Sequence, residues 1–128
     1  MRILTVDDSD VVRLQVKDAL SPHGDVVEAA TAREAMAVAN DPTQVFDLIL
    51  LDIHLPGADG LEILRRMRQI ERYKTTTVVV LTTESSTALM LRGKELAVLA
   101  WSIKPFNPKK LVTLLKMIQD NKGPLAVG

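Results

Sequence analysis

The sequence contains no cysteine, which excludes a disulfide scaffold, a thiolate metal site and a cysteine nucleophile. It has no excess charge of either sign, with 16 basic and 16 acidic residues, so nothing points to nucleic acid or an anionic membrane. No apolar run in the sequence is long enough for a membrane span. The N-terminal apolar run stops at Asp7, too early for the core of a signal peptide. We expect one soluble, cytoplasmic, monomeric domain without nucleic acid or membrane partners.

Short apolar, β-branched runs alternate with stretches of helical spacing along the chain. Strands are predicted at residues 2–6, 25–28, 47–51, 77–81 and 98–103. The third and fourth runs, DLILL and TVVVL, are apolar on both faces, which is typical of interior strands in a helix-covered parallel sheet. This alternation predicts an α/β three-layer sandwich with right-handed crossovers.

Helix signals fit the same pattern. Capping signals precede the helical stretches at Thr31 with Glu34, at Asp59 with Glu62, and at Asn107 before Pro108. In the first helix, the apolar positions 11, 12, 14, 16 and 20 are expected to face the sheet. The fourth helix, 86–96, is the softest, because Gly93 costs about 1 kcal/mol relative to alanine.

Polar residues follow four of the predicted strands. Asp7 and Asp8 end the first, Asp52 the third and Thr82 the fourth, and Lys104 follows the fifth. Each has an ordinary structural role when taken alone, such as a helix cap, a loop former or a solvated cation. Ligands bind at the carboxyl ends of parallel strands, however, and three carboxylates gathered there need a cation. Oxygen ligands of this kind suit Mg²⁺ or Mn²⁺.

With a metal present, the same edge suits phosphoryl transfer. Asp52 would be the nucleophile that forms an aspartyl phosphate, and Thr82 and Lys104 would each take a phosphoryl oxygen.

The motifs VDDSD, LLDIHLPGADG, LTTES and WSIKPFNPKKLV stand in an order and spacing that resemble the receiver domains of two-component response regulators. Within that family, the sequences LTTES and AWSIKPFNPKKLV are most similar to the stand-alone chemotaxis regulators. The resemblance implies a flavodoxin-like fold with a five-stranded parallel sheet, order 2-1-3-4-5, and five helices. It covers about residues 2–120, and we expect a receiver domain at 1–122 and a short C-terminal tail at 123–128, where Gly123 and Pro124 indicate a helix stop.

The same resemblance implies the site's roles. Asp52 would be the phosphoacceptor, and the metal would be held by Asp7, Asp8, Asp52 and the backbone carbonyl of His54. The phosphoryl donor would be a phosphohistidine on a histidine kinase, or acetyl phosphate. The protein would be a signalling switch in a phosphorelay, not an enzyme beyond its own phosphorylation and dephosphorylation.

Two further residues are implied as the switch, Thr82 and the aromatic Trp101, and the Lys104–Pro105 peptide bond is implied to be cis. A downstream protein would bind the face formed by helix 4, strand 5 and helix 5. We expect that face to present Met90, Leu91, Lys94, Trp101, Lys110 and Leu111.

Three alternatives stay open at this point. A flavodoxin-type binding module would share the fold, but its flavin phosphate would meet Asp7 and Asp8 instead of a Ser/Thr/Gly-rich loop. An aspartyl-phosphate hydrolase needs a general acid beside its nucleophile, and no second aspartate stands two residues after Asp52. The chain is also compatible with a receiver cut from a larger regulator or a hybrid kinase.

Overall fold

A computed structural model describes residues 1–120 of the chain. Counting only the strands of its main sheet, five parallel strands lie in the order β2-β1-β3-β4-β5, which confirms the predicted α/β fold. The strands are β1 (Arg2–Val6), β2 (Asp25–Ala29), β3 (Leu48–Leu51), β4 (Thr77–Thr82) and β5 (Ala100–Ile103). The helices are α1 (Asp10–Leu20), α2 (Ala32–Asn40), α3 (Gly60–Arg68), α4 (Thr87–Glu95) and α5 (Pro108–Asp120). The end of the predicted domain and the tail at 123–128 lie outside the described residues.

Helices cover both faces of the sheet, so there are two apolar cores. Side chains of α2 and α3 pack on one face, with Ala35, Ala39, Leu61 and Leu64 among the buried residues. Side chains of α1 and α5 pack on the other, with Val16, Leu20, Leu111 and Leu115 among them. All four residues of β3 are buried, as expected for an interior strand. None of the helices within residues 1–120 is long and apolar enough to cross a membrane.

The sequence predicts more core-facing residues in α1 than the structure has. Val16 and Leu20 are buried and Val12 packs against the core, but Val11 and Leu14 are 65% and 57% exposed. The core-facing positions lie four residues apart, so they form one stripe, and the two exposed residues lie beside it.

The fifth strand begins two residues later than predicted. Ala97 has a positive φ of 61°, and the Val98 N–H still donates to the Gly93 carbonyl at 3.0 Å. These residues therefore close α4, and the ladder with β4 begins only after them.

One of the predicted capping boxes forms in part. The Asp59 side chain accepts from the Leu61 N–H at 2.9 Å, so Asp59 does cap α3. The Glu62 carboxylate does not reach back, because it is engaged by the Arg65 guanidinium at 2.6 Å. Just before this cap, a hairpin pairs His54–Leu55 with Ala58–Asp59, and Gly57 at its tip has a φ of 68°.

Candidate functional site

The carboxyl ends of β1 and β3 bring three carboxylates together. Asp7 and Asp52 are buried and Asp8 is exposed, and one oxygen from each lies within 4.8 Å of the others. A capping role does not explain the pair at the end of β1, because α1 is capped by Ser9, whose hydroxyl accepts from the Val12 N–H at 3.2 Å. Asp7 Oδ1 accepts the Ser9 N–H at 2.9 Å, which leaves its Oδ2 and the exposed Asp8 side chain for the site.

Lys104 reaches this cluster from the end of β5. Its Nζ lies 2.6 Å from Oδ2 of Asp7 and 2.8 Å from Oδ2 of Asp52, and its side chain is only 13% exposed. Its backbone N–H donates to the Thr82 carbonyl at 2.8 Å, and its peptide bond to Pro105 is cis, as the resemblance implied. Lys104 is thus a fixed cation of the site and not a solvated surface lysine.

Burial and the neighbouring charges have opposite effects on the pKa values of Asp7 and Lys104. Burial raises the pKa of Asp7 despite a hydrogen bond and charge attraction from Lys104, which act to lower it. For Lys104, burial alone would lower the pKa, but contacts with Asp52 and Asp7 outweigh it and leave the pKa raised. The lysine is therefore firmly protonated, while one neighbouring carboxylate is held in an unfavourable environment.

The loop after β3 is shaped around Asp52. Its Oδ1 accepts the His54 N–H at 2.9 Å, and its own N–H donates to the Val6 carbonyl at 2.9 Å. Gly60 lies against the same backbone, since an ideal Cβ on it would lie 2.5 Å from Ile53 Cα and 2.6 Å from the Asp52 carbonyl oxygen. No larger residue fits there without moving the loop, a constraint that sequence reasoning missed.

The donor set fits a hard divalent cation. Asp7 Oδ2 is buried, and the cation beside it is the Lys104 ammonium at 2.6 Å. A buried carboxylate oxygen beside two further carboxylates is an arrangement that Mg²⁺ or Mn²⁺ satisfies. The three aspartates could therefore hold such an ion.

Glu84 joins the remaining predicted residues, although sequence reasoning assigned it no role. Its N–H donates to the buried Thr82 hydroxyl at 3.3 Å, and its carbonyl accepts the indole N–H of Trp101 at 2.7 Å. Its carboxylate lies 2.6 Å from Nε2 of His54. The only signal in the sequence is an acidic residue two positions after Thr82.

Four of the six residues predicted for the partner face are exposed. Met90, Leu91, Lys94 and Lys110 are exposed, and Trp101 is half-buried. Leu111 is buried in the core between α5 and the sheet, which corrects its placement on the surface. A cavity of about 370 Å³ opens beside it between β5 and α5.

The fold and this acidic edge together define a flavodoxin-like α/β domain with a candidate metal and phosphoryl site. The response regulator receiver domain profile matches residues 3–116, and the chain belongs to that family. Domains of this family are signalling switches of two-component systems, and they interact with histidine kinases and downstream effectors.

The relatives of the chain include transcriptional regulatory proteins and chemotaxis proteins. The chain is 35% identical over 123 residues to the phosphate regulon transcriptional regulatory protein PhoB of Pseudomonas aeruginosa, covering 95% of this chain and 53% of that protein. It is 32% identical over 122 residues to the chemotaxis protein CheY1 of Helicobacter pylori, covering 92% and 96%. The chain thus spans about half the length of the PhoB relatives and nearly all of CheY1.

A solved structure gives the same result for the fold. The chemotaxis protein CheY4 of Vibrio cholerae superposes with a TM-score of 0.83 at 36% identity, covering 91% of this chain and 97% of that one.

Proposed function

We propose that this domain accepts a phosphoryl group on Asp52 from a histidine kinase and thereby controls a protein partner. One observation carries the proposal: Asp52 is buried at the end of β3, 2.8 Å from a lysine ammonium, in a cluster of carboxylates suited to a divalent cation. An ordinary structural ion pair joins one ammonium to one carboxylate, whereas Lys104 contacts two and a third lies within 4.8 Å of them.

In the transfer, an oxygen of Asp52 attacks the phosphorus. The P–N bond of a phosphohistidine breaks and the imidazole leaves as it takes up a proton; with acetyl phosphate, the P–O bond breaks and acetate leaves. Lys104 can move from the carboxylates to a phosphoryl oxygen, and the Thr82 hydroxyl is on the same edge to take another.

The metal would be Mg²⁺ or Mn²⁺, held by Asp7, Asp8, Asp52 and the backbone carbonyl of His54, and it would neutralise charge on the transferring group. Asp7 would gain most from it, since burial raises its pKa although its Oδ2 lies beside the Lys104 ammonium.

The output would pass through Thr82 and Trp101 to the face of α4, β5 and α5. Phosphorylation would draw the Thr82 hydroxyl toward the new phosphoryl group, and Glu84 would transmit that movement because it touches both switch residues. The partner would then bind the exposed side chains Met90, Leu91, Lys94 and Lys110 together with Trp101.

We propose chemotaxis as the pathway, supported by the near full-length match to CheY1. Transcriptional control is the second candidate, favoured by the similarity to PhoB over about half of that protein's length. Binding of the phosphorylated and unphosphorylated chain to candidate partners in a pull-down separates the two.

Labelling with ³²P-acetyl phosphate tests the proposal. Wild type should take up label with Mg²⁺ and none with EDTA, and Asp52→Asn should take up none while keeping its circular dichroism spectrum. The exposed Asp18→Asn variant is the matched control and should label as wild type does. Full labelling of Asp52→Asn, or labelling in EDTA, would overturn the assignment.

A further inference from the structure

Gly93 is the seventh of the nine residues of α4 and stands inside the helix, in its last turn. Glycine inside a helix weakens the folding equilibrium about fivefold relative to alanine, so a glycine here needs a reason. Of the nine residues Thr87–Glu95, Gly93 is the one that is buried. Leu89 packs against the core but is only partly buried, so the one fully buried position of this helix has no side chain.

The neighbour that requires the glycine is Trp101. An ideal Cβ on Gly93 would lie 2.9 Å from Cζ3 and 3.3 Å from Cε3 of the indole, and 3.6 Å from Cγ2 of Val98. The first distance is closer than packed carbon atoms approach one another. An alanine would therefore push the indole away from α4.

The opposite edge of the indole is held by the loop between β4 and α4. Its Nε1–H donates to the Glu84 carbonyl at 2.7 Å, and the Glu84 N–H donates to the Thr82 hydroxyl. The ring thus lies between a backbone carbonyl two residues after β4 and the glycine of α4.

We propose that Gly93 is a positioning residue, a notch in α4 that seats the indole of Trp101 and so ties α4 to β5 and to the Glu84 loop. The notch joins the ring to this helix, beside the packing of the partly buried Leu89 against the core. The inference does not rest on Asp52 being the phosphoacceptor.

A double-mutant cycle tests the notch by asking whether Gly93→Ala stabilises or destabilises the fold with and without the indole of Trp101. In the wild-type background, Gly93→Ala should lower the urea midpoint and shift the emission of Trp101, the only tryptophan, to longer wavelength. In the Trp101→Phe background, whose shorter ring leaves the notch empty, the same change should raise the midpoint and lower the unfolding constant about fivefold. Unfolding is followed by circular dichroism, so both backgrounds are read alike.

Leu91→Ala is the matched control, because Leu91 is 56% exposed on the same helix. It should change the midpoint equally in both backgrounds and leave the emission unchanged. If Gly93→Ala has the same sign in both backgrounds, or leaves the emission of Trp101 where it was, the notch does not exist. No phosphoryl donor is used, so failure of the cycle and failure of the phosphorylation assay are separate results.

Discussion

Replacing Lys104 by methionine should cost the fold about 3 kcal/mol at pH 7.5 in metal-free buffer. The ammonium lies 2.6 Å and 2.8 Å from two carboxylates whose side chains are 2% and 5% exposed. Removing one partner of a buried ion pair costs roughly 3–5 kcal/mol, because an uncompensated charge stays buried. We take the low end, because Asp7 can take up a proton and relieve part of the cost.

The deficit should shrink in acid, and the sign follows from Asp7. Burial already raises its pKa above 3.8, and the loss of Lys104 removes the contacts that lower it. A carboxyl whose pKa is raised by folding stabilises the folded state below its unfolded pKa, and that stabilisation is lost as pH rises through the folded pKa. The variant should therefore be closest to wild type near pH 4 and furthest from it above neutrality.

Urea unfolding followed by circular dichroism, with EDTA, at pH 7.5 and pH 4.5 measures this. Lys94→Met, at an exposed lysine, is the control and should change the free energy of unfolding by less than about 0.5 kcal/mol. A Lys104→Met deficit under about 1 kcal/mol at pH 7.5, or one that grows as pH falls, would refute the reasoning.

Three further predictions concern the metal, a close backbone approach and a surface carboxylate. Saturating Mg²⁺ should raise the free energy of unfolding of wild type, by about 2.7 kcal/mol at 100 times its Kd, and Asp8→Ala should weaken that gain in a titration; no gain in wild type would contradict the metal site. Gly60→Ala should destabilise the fold by more than about 2 kcal/mol, because its Cβ would meet backbone at 2.5 Å. Gly57→Ala should cost only about 1–2 kcal/mol, because Gly57 has a φ of 68° but open space around it. If urea unfolding shows Gly57→Ala to be more destabilising than Gly60→Ala, the geometry is contradicted. The hydrogen bond from Arg65 lowers the pKa of Glu62 to about 2. The stabilisation that ionised Glu62 gives the fold is therefore complete above pH 4.5 and is lost as pH falls through about 2. An NMR titration that gives Glu62 an ordinary pKa would contradict this.

Most of the fold could be predicted from the sequence because the signals are local and repeated. Alternating apolar runs and helical spacing define βα units, and a parallel sheet then places the carboxyl ends of its strands on one edge. That geometry alone brings Asp7, Asp52 and Lys104 together, although they lie far apart in the chain. The cis bond before Pro105 and the roles of the individual residues came from the family resemblance.

What the sequence could not show depends on contacts between distant segments. Gly93 was expected only to soften α4, and its steric reason exists only once Trp101 lies against it. The role of Glu84 could not be predicted either, because it depends on backbone hydrogen bonds to the side chains of Thr82 and Trp101. Helical spacing marks an apolar stripe but not its width, so Val11 and Leu14 were assigned to the core and are exposed.

The central claim is that Asp52 alone receives the phosphoryl group. Wild type is incubated with acetyl phosphate and Mg²⁺, the acyl phosphate is reduced with borohydride, and peptide mass spectrometry locates the aspartate converted to homoserine. The account predicts conversion at Asp52 and at no other carboxylate, with none when EDTA is present. Conversion at Asp7, Asp8 or Asp59 in place of Asp52, or no conversion under any condition, would contradict it.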